Sequence, residues 1–394
     1  YGRNWFEDMG FCYLGPIDGH NMETLCDVLQ RAKNLHRPVF LHIETQKGKG
    51  YSYAEENPGE YHGTSGFDID TGKSFSSAST NFSNEFGLYL TELAKRDERI
   101  CAITAAMKYG TGLNHFSRAF GQQGRFFDVG IAEPHAVTFA GGLAANGMLP
   151  VFAVYSSFLQ RCYDQIIHDL SIEQQHVVIG IDRAGIVGSD GETHQGLFDV
   201  AMLSSVPGIT LYSPATYEEM RCSLYKSLYE HTGVCCVRYP RGGESKLPAF
   251  DPQAPWAIET KGAKPRLLLV TYGKLGVQAV QAAQTLSQQG VPTAVLKLLR
   301  LLPFCEEAVE QAMQAEYVLF AEEGIESGGI GQMFGSRLLE NGFQGHYRVL
   351  AVHDRFVEQA TPDRALALCG LDAQSMVQTC TQWMKEQQTE DFDR

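Results

Sequence analysis

The sequence predicts an α/β protein made of two doubly wound domains, the first with a mainly parallel sheet, preceded by part of a third α/β domain. Short apolar runs alternate with helical patterns along most of the 394 residues. Such alternation is typical of parallel sheets that are covered by helices on both faces. Stretches rich in Ser or Pro interrupt it and predict two linkers. The expected boundaries are 1–66 for the partial domain, 67–80 and 246–263 for the linkers, and 81–245 and 264–394 for the complete domains.

The partial domain contains one predicted helix and one predicted strand. Apolar residues recur at helical spacing over 22–34, and the run PVFLHIET predicts a buried strand over 38–45. A basic turn that begins at Lys47 follows this strand, at the end where open parallel sheets bind ligands. Lys47 is therefore a candidate ligand, although a solvated turn explains the same residues. His62 lies in a loop where an incidental histidine is the simpler interpretation.

The order of the apolar runs predicts the strands of the two complete domains. In the first domain, a helix is predicted over 84–95, and strands over 100–104, 125–129, 148–155, 176–182, 209–213 and 234–239. In the second domain, strands are predicted over 267–271, 293–298, 317–321 and 347–352. Helical patterns separate most of these strands, which favours parallel pairing in both domains.

The bulk composition argues against several classes of partner. A net charge of −14 and a pI near 5.3 disfavour nucleic acid and anionic membrane surfaces as partners. The apolar runs are shorter than the roughly 18 residues of a membrane span. The ten cysteines include no C-x-x-C pair, which is typical of reduced, mostly buried thiols in the cytoplasm. Because the chain begins with Tyr1 rather than Met, we expect it to be part of a longer protein.

The stretch DVGIAEPHAVT over 128–138 holds the first candidate catalytic residue. It begins at the end of a predicted strand and leads into a helix of small residues over 136–145. Glu133 is a carboxylate in an apolar neighbourhood, and a desolvated carboxyl group can exchange a proton with a ring nitrogen or hold a short hydrogen bond to it. The alternative is a Glu that stabilises the first turn of the helix through the helix macrodipole.

Three further segments follow predicted strands and carry polar or aromatic side chains. The segment 155–161 contains Phe158, which is either a stacking surface for a flat ring or ordinary core. The glycine-rich loop 182–196 holds an Arg, three carboxylates and a His, and loops after strands commonly carry function. Arg238 and Arg241 end another strand. Two arginines from separate strand ends can bind one phosphate or carboxylate, or they can form surface ion pairs.

The segment GGIGQMFG over 328–335 resembles a dinucleotide-binding fingerprint but departs from its spacing. Its last glycine falls one residue late, and no acidic residue ends a following strand at the distance that the fingerprint requires. We interpret the segment as tight packing of a strand on a helix. Glu322 and Glu323 just before it are interpreted as residues for domain packing.

Several long motifs, taken together and in order, resemble one family. They are GFCYLGPIDGHNMETL, FLHIETQKGKGYSYAE, FDVGIAEPHAVTFAGGLA, YSSFLQRCYDQIIHDL, IDRAGIVGSDGETHQGLFD and VRYPRG. The family is that of the 1-deoxy-D-xylulose-5-phosphate synthases, transketolase-like enzymes that use thiamine diphosphate. The resemblance implies that 81–245 is a pyrimidine-binding domain and that 264–394 is a transketolase carboxyl-terminal domain.

The resemblance also implies roles for the residues toward the cofactor. Glu133 would hydrogen-bond the aminopyrimidine ring and assist removal of the thiazolium carbon-2 proton. Phe158 would stack on the same ring, and Tyr155, Arg161 and Lys47 would lie near the cofactor.

On the substrate side, the resemblance implies condensation of pyruvate with glyceraldehyde 3-phosphate to 1-deoxy-D-xylulose 5-phosphate and CO2, a precursor for isoprenoids and thiamine. His62 and His194 would transfer protons or orient the substrates. The acceptor aldehyde and its phosphate would be bound by Arg183, Arg241, Asp190, Tyr155 and His194.

Two features depart from the family pattern. Pro134 stands where the family usually has Gln, which is tolerable in the first turn of a helix. The family binds the diphosphate through Mg²⁺ with a Gly-Asp-Gly motif, and the 394 residues contain no such motif. We therefore expect the Mg²⁺ ligands in a missing amino-terminal domain, no metal site in this chain, and poor cofactor binding by the chain alone. The chain would be a fragment of the enzyme or one subunit of a split enzyme.

Two alternatives stay open at this point. The chain could be a β-type subunit of a 2-oxoacid dehydrogenase or of a split transketolase, which also combine these two domains. It could also be a non-catalytic partner subunit, although the joint presence of Glu133, Phe158, Arg183 and His194 speaks against this. We expect a homodimer, with a separate amino-terminal chain as a possible partner.

Overall fold

The computed structural model describes residues 4–64, 66–75, 80–188, 190–244, 246–248, 250–260 and 264–392, with side chains as far as 387. The chain divides into two compact units, Tyr1–Ser79 and Thr80–Arg394. The first unit contains a two-stranded sheet, and the second contains a seven-stranded and a five-stranded sheet.

The amino-terminal unit is a small α/β element. Its helices and strands are α1 Trp5–Asp8, β1 Cys12–Asp18, α2 Met22–Asn34, β2 Val39–Glu44 and α3 Ser52–Glu56. Strands β1 and β2 pair in parallel, and the helix predicted over 22–34 is found with those bounds. The sequence did not predict β1, because Gly15-Pro16 inside it is a typical turn signal. The pairing register shifts between Leu14 and Ile17, on either side of that dipeptide.

The seven-stranded sheet forms the first layer of the larger unit. Its strands along the chain are β3 Ile100–Thr104, β4 Phe126–Asp128, β5 Leu149–Tyr155, β6 Val177–Asp182, β7 Thr210–Tyr212 and β8 Val234–Arg238, joined by β12 Arg300–Leu302. The helices are α4 Phe82–Ala94, α5 Asn114–Phe120, α6 Glu133–Ala145, α7 Ser156–Leu159, α8 Tyr163–Gln165, α9 Asp199–Ser204 and α10 Tyr217–Tyr229, with a π-helical turn over Ile166–Ser171. The spatial order is β12-β7-β8-β6-β5-β3-β4, and β12 alone among these strands pairs antiparallel.

The five-stranded sheet belongs to the carboxyl-terminal part. Its strands are β9 Trp256–Glu259, β10 Leu267–Tyr272, β11 Thr293–Leu298, β13 Tyr317–Ile325 and β14 His346–Val352, in the order β14-β13-β10-β11-β9. Strand β9 is antiparallel to β11, and the other pairs are parallel. The helices are α11 Gly276–Gln288, α12 Glu306–Ala312, α13 Ile330–Glu340, α14 Pro362–Leu368 and α15 Ala373–Phe392.

Each strand predicted from an apolar run is present, and β13 continues further than predicted, to Ile325. Besides β1, two short strands were not predicted. Strand β9 lies inside the Pro-containing stretch 246–263, and β12 has only three residues, so neither produces a recognisable apolar run. Both pair antiparallel at sheet edges, where pairing depends on tertiary contacts rather than on local sequence.

The two sheets of the larger unit share one hydrophobic core. A single apolar cluster includes Ile179 and Leu211 from the first sheet and Leu296 and Phe320 from the second. Burial of each such side chain contributes about 1.5–3 kcal/mol relative to exposure. Strand β12, from the carboxyl-terminal part, also completes the edge of the first sheet. The two parts of the unit are therefore expected to unfold together.

The ten cysteines are all free thiols, and most of them are buried, as the sequence predicted. Burial raises the pKa of Cys101 and of Cys235 to about 12, so these thiols are neutral near pH 7. Within the described residues, the helices are too short or too polar to pass through a lipid bilayer.

A buried ion pair connects the two parts of the larger unit, and its contribution to stability can be measured. Lys297 Nζ of β11 lies 2.6 Å from Glu219 Oε1 of α10, and both side chains are almost fully buried. Replacement of one partner leaves the other charge buried without compensation, at a cost of about 3–5 kcal/mol. We expect Glu219→Gln to lower the free energy of unfolding by about 3 kcal/mol, measured by urea denaturation.

Lys297→Met supplies the second half of a double-mutant cycle. Because the double variant leaves no unpaired charge, its loss should be clearly smaller than the sum of the single losses. Additive losses would show that the pair contributes nothing as a pair.

Candidate active site

The parallel strands of the seven-stranded sheet end on one side of the sheet, and the segments that carry most of the predicted site residues follow these ends. Asp128 ends β4, Tyr155 ends β5, Asp182 ends β6 and Arg238 ends β8. Because β4, β3, β5, β6 and β8 all pair in parallel, their carboxyl ends lie along the same side of the sheet. This is the side where open α/β sheets bind ligands.

Glu133 is the first residue of α6 and is buried, with 2% of its surface exposed. The chain turns into this helix at Gly130, whose positive φ of 72° suits glycine. The Asp128 carboxylate fixes the turn by accepting hydrogen bonds from the N–H groups of Ala106 (2.8 Å) and Gly130 (3.1 Å). Pro134 lies within the first helical turn, where its missing N–H costs no hydrogen bond.

The Glu133 carboxylate has a charged partner at the protein surface. Arg161 Nη1 donates a 2.6 Å hydrogen bond to Glu133 Oε1, and the Arg161 side chain is 46% exposed. A buried carboxylate paired with a half-exposed guanidinium is held in one orientation but keeps its second oxygen for another donor.

Aromatic rings extend the cluster from Glu133 along α7. The guanidinium of Arg161 lies 4.9 Å from the Phe158 ring centre, and the Phe158 ring is nearly parallel to that of Tyr155 at 5.9 Å. His194 meets the Phe158 ring edge-on at 5.4 Å. The structure thus brings together five predicted site residues from three separate segments of the sequence.

Arg183 packs against the ring of Tyr155, the other member of this aromatic pair. Its guanidinium carbon lies 3.8 Å from the Tyr155 ring centre, and Nη1 donates to the Gly110 carbonyl at 3.1 Å and to Asp182 Oδ1 at 3.2 Å. A Cβ on Gly110 would lie 2.2 Å from the Tyr155 hydroxyl, so only glycine permits this approach. The backbone of Arg183 has a φ of 59°, which costs on the order of 1 kcal/mol for a residue with a side chain.

Arg241 and Asp190 form an ion pair near Tyr155. Arg241 Nη1 lies 2.9 Å from Asp190 Oδ2, and both side chains are partly exposed. Burial raises the pKa of the Tyr155 hydroxyl to about 12, an effect that the nearby Arg183 and Arg241 oppose. Tyr155 therefore stays protonated near neutral pH and can donate a hydrogen bond.

The loop that carries Arg183 and His194 is held by the carboxyl-terminal part. Gly185 and Gly196 pair across the loop with two 2.8 Å hydrogen bonds. Glu323 accepts a 3.0 Å hydrogen bond from the Ile186 N–H. Burial raises the pKa of the Glu323 carboxyl group. The interpretation of Glu323 as a packing residue agrees with these contacts.

His194 lies between Thr193 and Gln195, two residues that line a cavity next to the cluster. It ends the 3₁₀ turn Glu192–His194, and its Nδ1 lies 2.9 Å from the Thr193 hydroxyl. The cavity has a volume of about 280 Å³ and is lined by Ser157, Thr193 and Phe356, among others. Ser157 carries a buried hydroxyl for which the described residues supply no hydrogen-bond partner. A small polar ligand could satisfy it.

Lys47 and His62 contact each other in the amino-terminal unit. Lys47 Nζ lies 2.9 Å from His62 Nδ1, and both side chains are exposed. Their predicted roles at the site stay predictions.

Two other residues considered in the sequence analysis, Arg238 and Glu322, have partners inside the protein. Arg238 is buried and pairs with Asp199 at 2.9 Å, so this arginine forms an ion pair, but in the interior and not at the surface. Glu322 is fully buried and accepts hydrogen bonds from Tyr272 and from the N–H groups of Ile330 and Gly331. The glycine-rich segment 328–335 is therefore a tight strand–helix junction, as predicted.

The sequence reasoning did not select Asp128, Gly110 or Asp182 as site residues. Asp182 ends a predicted strand and Asp128 is the next-to-last residue of another, and that position was the one available signal. No sequence pattern placed the loop with Gly110 near Tyr155. Among the residues that the structure describes, no group of three or more His, Cys, Asp or Glu side chains could hold a metal ion.

Three family models match successive parts of the chain. Residues 78–243 match the transketolase pyrimidine binding domain, and 257–376 match the transketolase C-terminal domain. Residues 1–45 match the model described as 1-deoxy-D-xylulose-5-phosphate synthase.

Curated relatives extend this similarity over nearly the whole chain. A 1-deoxy-D-xylulose-5-phosphate synthase from Caldanaerobacter subterraneus subsp. tengcongensis is 42% identical over 388 residues, covering 97% of this chain and 61% of that protein. One from Clostridium acetobutylicum is 41% identical over 378 residues, covering 94% of this chain and 60% of that protein. The chain therefore spans about three-fifths of the length of these relatives.

Solved structures with a similar fold are transketolases. A split-gene transketolase, an inactive β4 tetramer, aligns with a TM-score of 0.67 and 25% identity over 77% of this chain and 98% of that chain. A transketolase from Campylobacter jejuni aligns with a TM-score of 0.65 and 16% identity over 97% of this chain and 69% of that chain. The predicted α/β fold class is confirmed. The chain is therefore similar to 1-deoxy-D-xylulose-5-phosphate synthases over nearly its whole length, and residues 78–243 and 257–376 match the two transketolase domain models.

Proposed function

We propose that this chain provides the pyrimidine side and the acceptor side of the active site of a thiamine-diphosphate-dependent synthase. The reaction is the condensation of pyruvate with D-glyceraldehyde 3-phosphate to 1-deoxy-D-xylulose 5-phosphate, with release of CO2. The observation that carries the proposal is the contact of buried Glu133 with Arg161, whose guanidinium lies against Phe158. A carboxylate beside an aromatic ring suits a flat heterocycle with basic nitrogen atoms.

The residues present fit the pyrimidine half of the cofactor. Glu133 offers a carboxylate oxygen, and Phe158 is half-buried with its ring between Tyr155, Arg161 and His194. When bound, thiamine diphosphate supplies the carbon nucleophile and the electron sink for decarboxylation. Glu133 would exchange a proton with a ring nitrogen, and Arg161 would keep the carboxylate oriented.

The acceptor side is supported by two arginines. Arg183, held against Tyr155, and Arg241, paired with Asp190, would bind the phosphate of the aldehyde through charge-assisted hydrogen bonds. Tyr155 would donate a hydrogen bond, because its pKa is raised to about 12. His194, edge-on to Phe158, would orient the reacting groups or transfer a proton.

The diphosphate side requires groups that these 394 residues do not supply. The chain contains no Gly-Asp-Gly motif. We propose that Mg²⁺ and the diphosphate are bound by the family's amino-terminal domain, with Lys47 and His62 contributing from residues 1–66. The assembled enzyme would be a cytoplasmic homodimer.

The alternatives are less well supported. Curated synthases are 41–42% identical to the chain, whereas the split-gene transketolase is 25% identical. A non-catalytic subunit would have no need for the clustered contacts of Glu133, Arg161, Phe158 and His194.

The first prediction concerns complementation. The purified chain with thiamine diphosphate, Mg²⁺, pyruvate and glyceraldehyde 3-phosphate should form deoxyxylulose 5-phosphate only when the amino-terminal domain of a family member is added. Product is measured by mass spectrometry. Turnover by the chain alone would show that it carries its own diphosphate site, and absence of product in both samples would count against the synthase assignment.

The second prediction concerns acceptor specificity. Arg241→Met should raise the KM for glyceraldehyde 3-phosphate by about 10–100-fold, because a charge-assisted contact to phosphate contributes about 1.5–3 kcal/mol. The rate with unphosphorylated glyceraldehyde should stay within about twofold. Arg266→Met is a matched control, since Arg266 is also a partly exposed arginine paired with a carboxylate, that of Glu316. Equal losses with both aldehydes would argue against a phosphate contact.

A further inference from the structure

Asp182 is a buried acidic residue that contacts Arg183, and it has no role in the function proposed above. It is the last residue of β6, and no part of its surface is exposed. Its Oδ1 accepts a hydrogen bond from Arg183 Nη1 at 3.2 Å. A fully buried carboxylate is costly to maintain unless a partner compensates for it. This partner is the guanidinium that faces Tyr155.

The contacts of Arg183 leave its guanidinium little freedom. The ring of Tyr155 lies against its face at 3.8 Å, and Nη1 is shared between the Gly110 carbonyl and Asp182. Only 16% of the side chain is exposed. The left-handed backbone of Arg183 turns the side chain back toward the end of its own strand, where Asp182 is the adjacent residue.

The charged and titratable groups around Asp182 are Arg183, Tyr155 and Tyr239. Burial raises the pKa of the Asp182 carboxyl to about 6, and the charge of Arg183 and a hydrogen bond from the Ser83 side chain oppose this shift. The carboxyl is therefore mostly ionised at about pH 7.5. Both tyrosines stay protonated there, because burial raises their pKa.

We propose that Asp182 is a positioning residue that fixes Arg183 as a preformed anion site for the acceptor phosphate. The inference rests on the proposed function for the identity of the ligand. The site itself is built from Asp182, Arg183, Tyr155 and Gly110, all within the larger unit. It follows that this chain binds a phosphate-bearing aldehyde analogue without cofactor and without an added amino-terminal domain.

Substitution of Asp182 has two opposite effects on anion binding, one through its negative charge and one through its hold on the Arg183 guanidinium. Removal of a negative charge beside Arg183 would by itself strengthen anion binding. Loss of the Asp182 oxygen that accepts the hydrogen bond would release the Arg183 guanidinium and weaken anion binding. Asp182→Asn keeps an oxygen at the same place and removes only the charge, whereas Asp182→Ala removes both.

The experiment is calorimetric titration of the chain alone with sn-glycerol 3-phosphate and, separately, with sulfate at about pH 7.5. We expect Asp182→Ala to bind both anions about tenfold more weakly than the wild type, and Asp182→Asn to bind at least as tightly. Glu219→Ala truncates a buried ion-pair carboxylate away from the site and should leave both affinities unchanged. If Asp182→Ala does not fold, Asp182→Ser gives the same comparison, because the serine side chain is too short to reach the guanidinium.

Equal affinities for the alanine and asparagine variants would overturn the positioning role, and so would tighter binding by the alanine variant. Absence of anion binding by the wild type would overturn the preformed site. These results are separate from the synthase assay, because they require neither pyruvate nor cofactor. Failure of complementation with intact anion binding would count against the proposed reaction alone.

Discussion

Parallel pairing around β6 is the constraint on which the site depends. Strands β5, β6 and β8 lie side by side in one direction, so Tyr155, Asp182 and Arg238 end at the same edge. The segments that follow these strands carry Phe158, Arg183 and Arg241 respectively. A site drawn from residues far apart in sequence is thus assembled by backbone hydrogen bonds, and side-chain contacts only adjust it.

The carboxyl-terminal part supports this edge as well as forming its own sheet. Glu323 accepts a hydrogen bond from the Ile186 N–H, and Gln195 donates to the Val357 carbonyl at 3.3 Å, so the carboxyl-terminal part holds the loop that carries Arg183 and His194. The shared core and the Lys297–Glu219 pair make the same connection deeper in the unit. These contacts explain how residues far from the candidate site hold the loop that carries Arg183 in place.

The sequence predicted most of the strands and the main cluster, because apolar runs of parallel strands and polar segments after them are local signals. It did not predict β9 or β12, whose pairing depends on partners distant in the chain. Gly110 and Asp128 were also missed. Their roles depend on the loop after β3, which approaches Tyr155 at Gly110 and Asp128 at Ala106, and no single stretch of sequence encodes this approach. Arg238 and Arg241 look alike in sequence, and only burial separates the structural residue from the candidate ligand.

The central claim is that Glu133 acts on the cofactor, and proton exchange at carbon 2 of thiamine diphosphate tests it most directly. The measurement is deuterium exchange followed by NMR, with the chain and an added amino-terminal domain. Glu133→Gln should slow exchange by about a hundredfold or more, whereas Glu85→Gln should not. Glu85 is a matched control, since it is also a buried Glu paired with a half-exposed arginine, Arg221. An exchange rate in Glu133→Gln equal to that of the wild type would contradict the account.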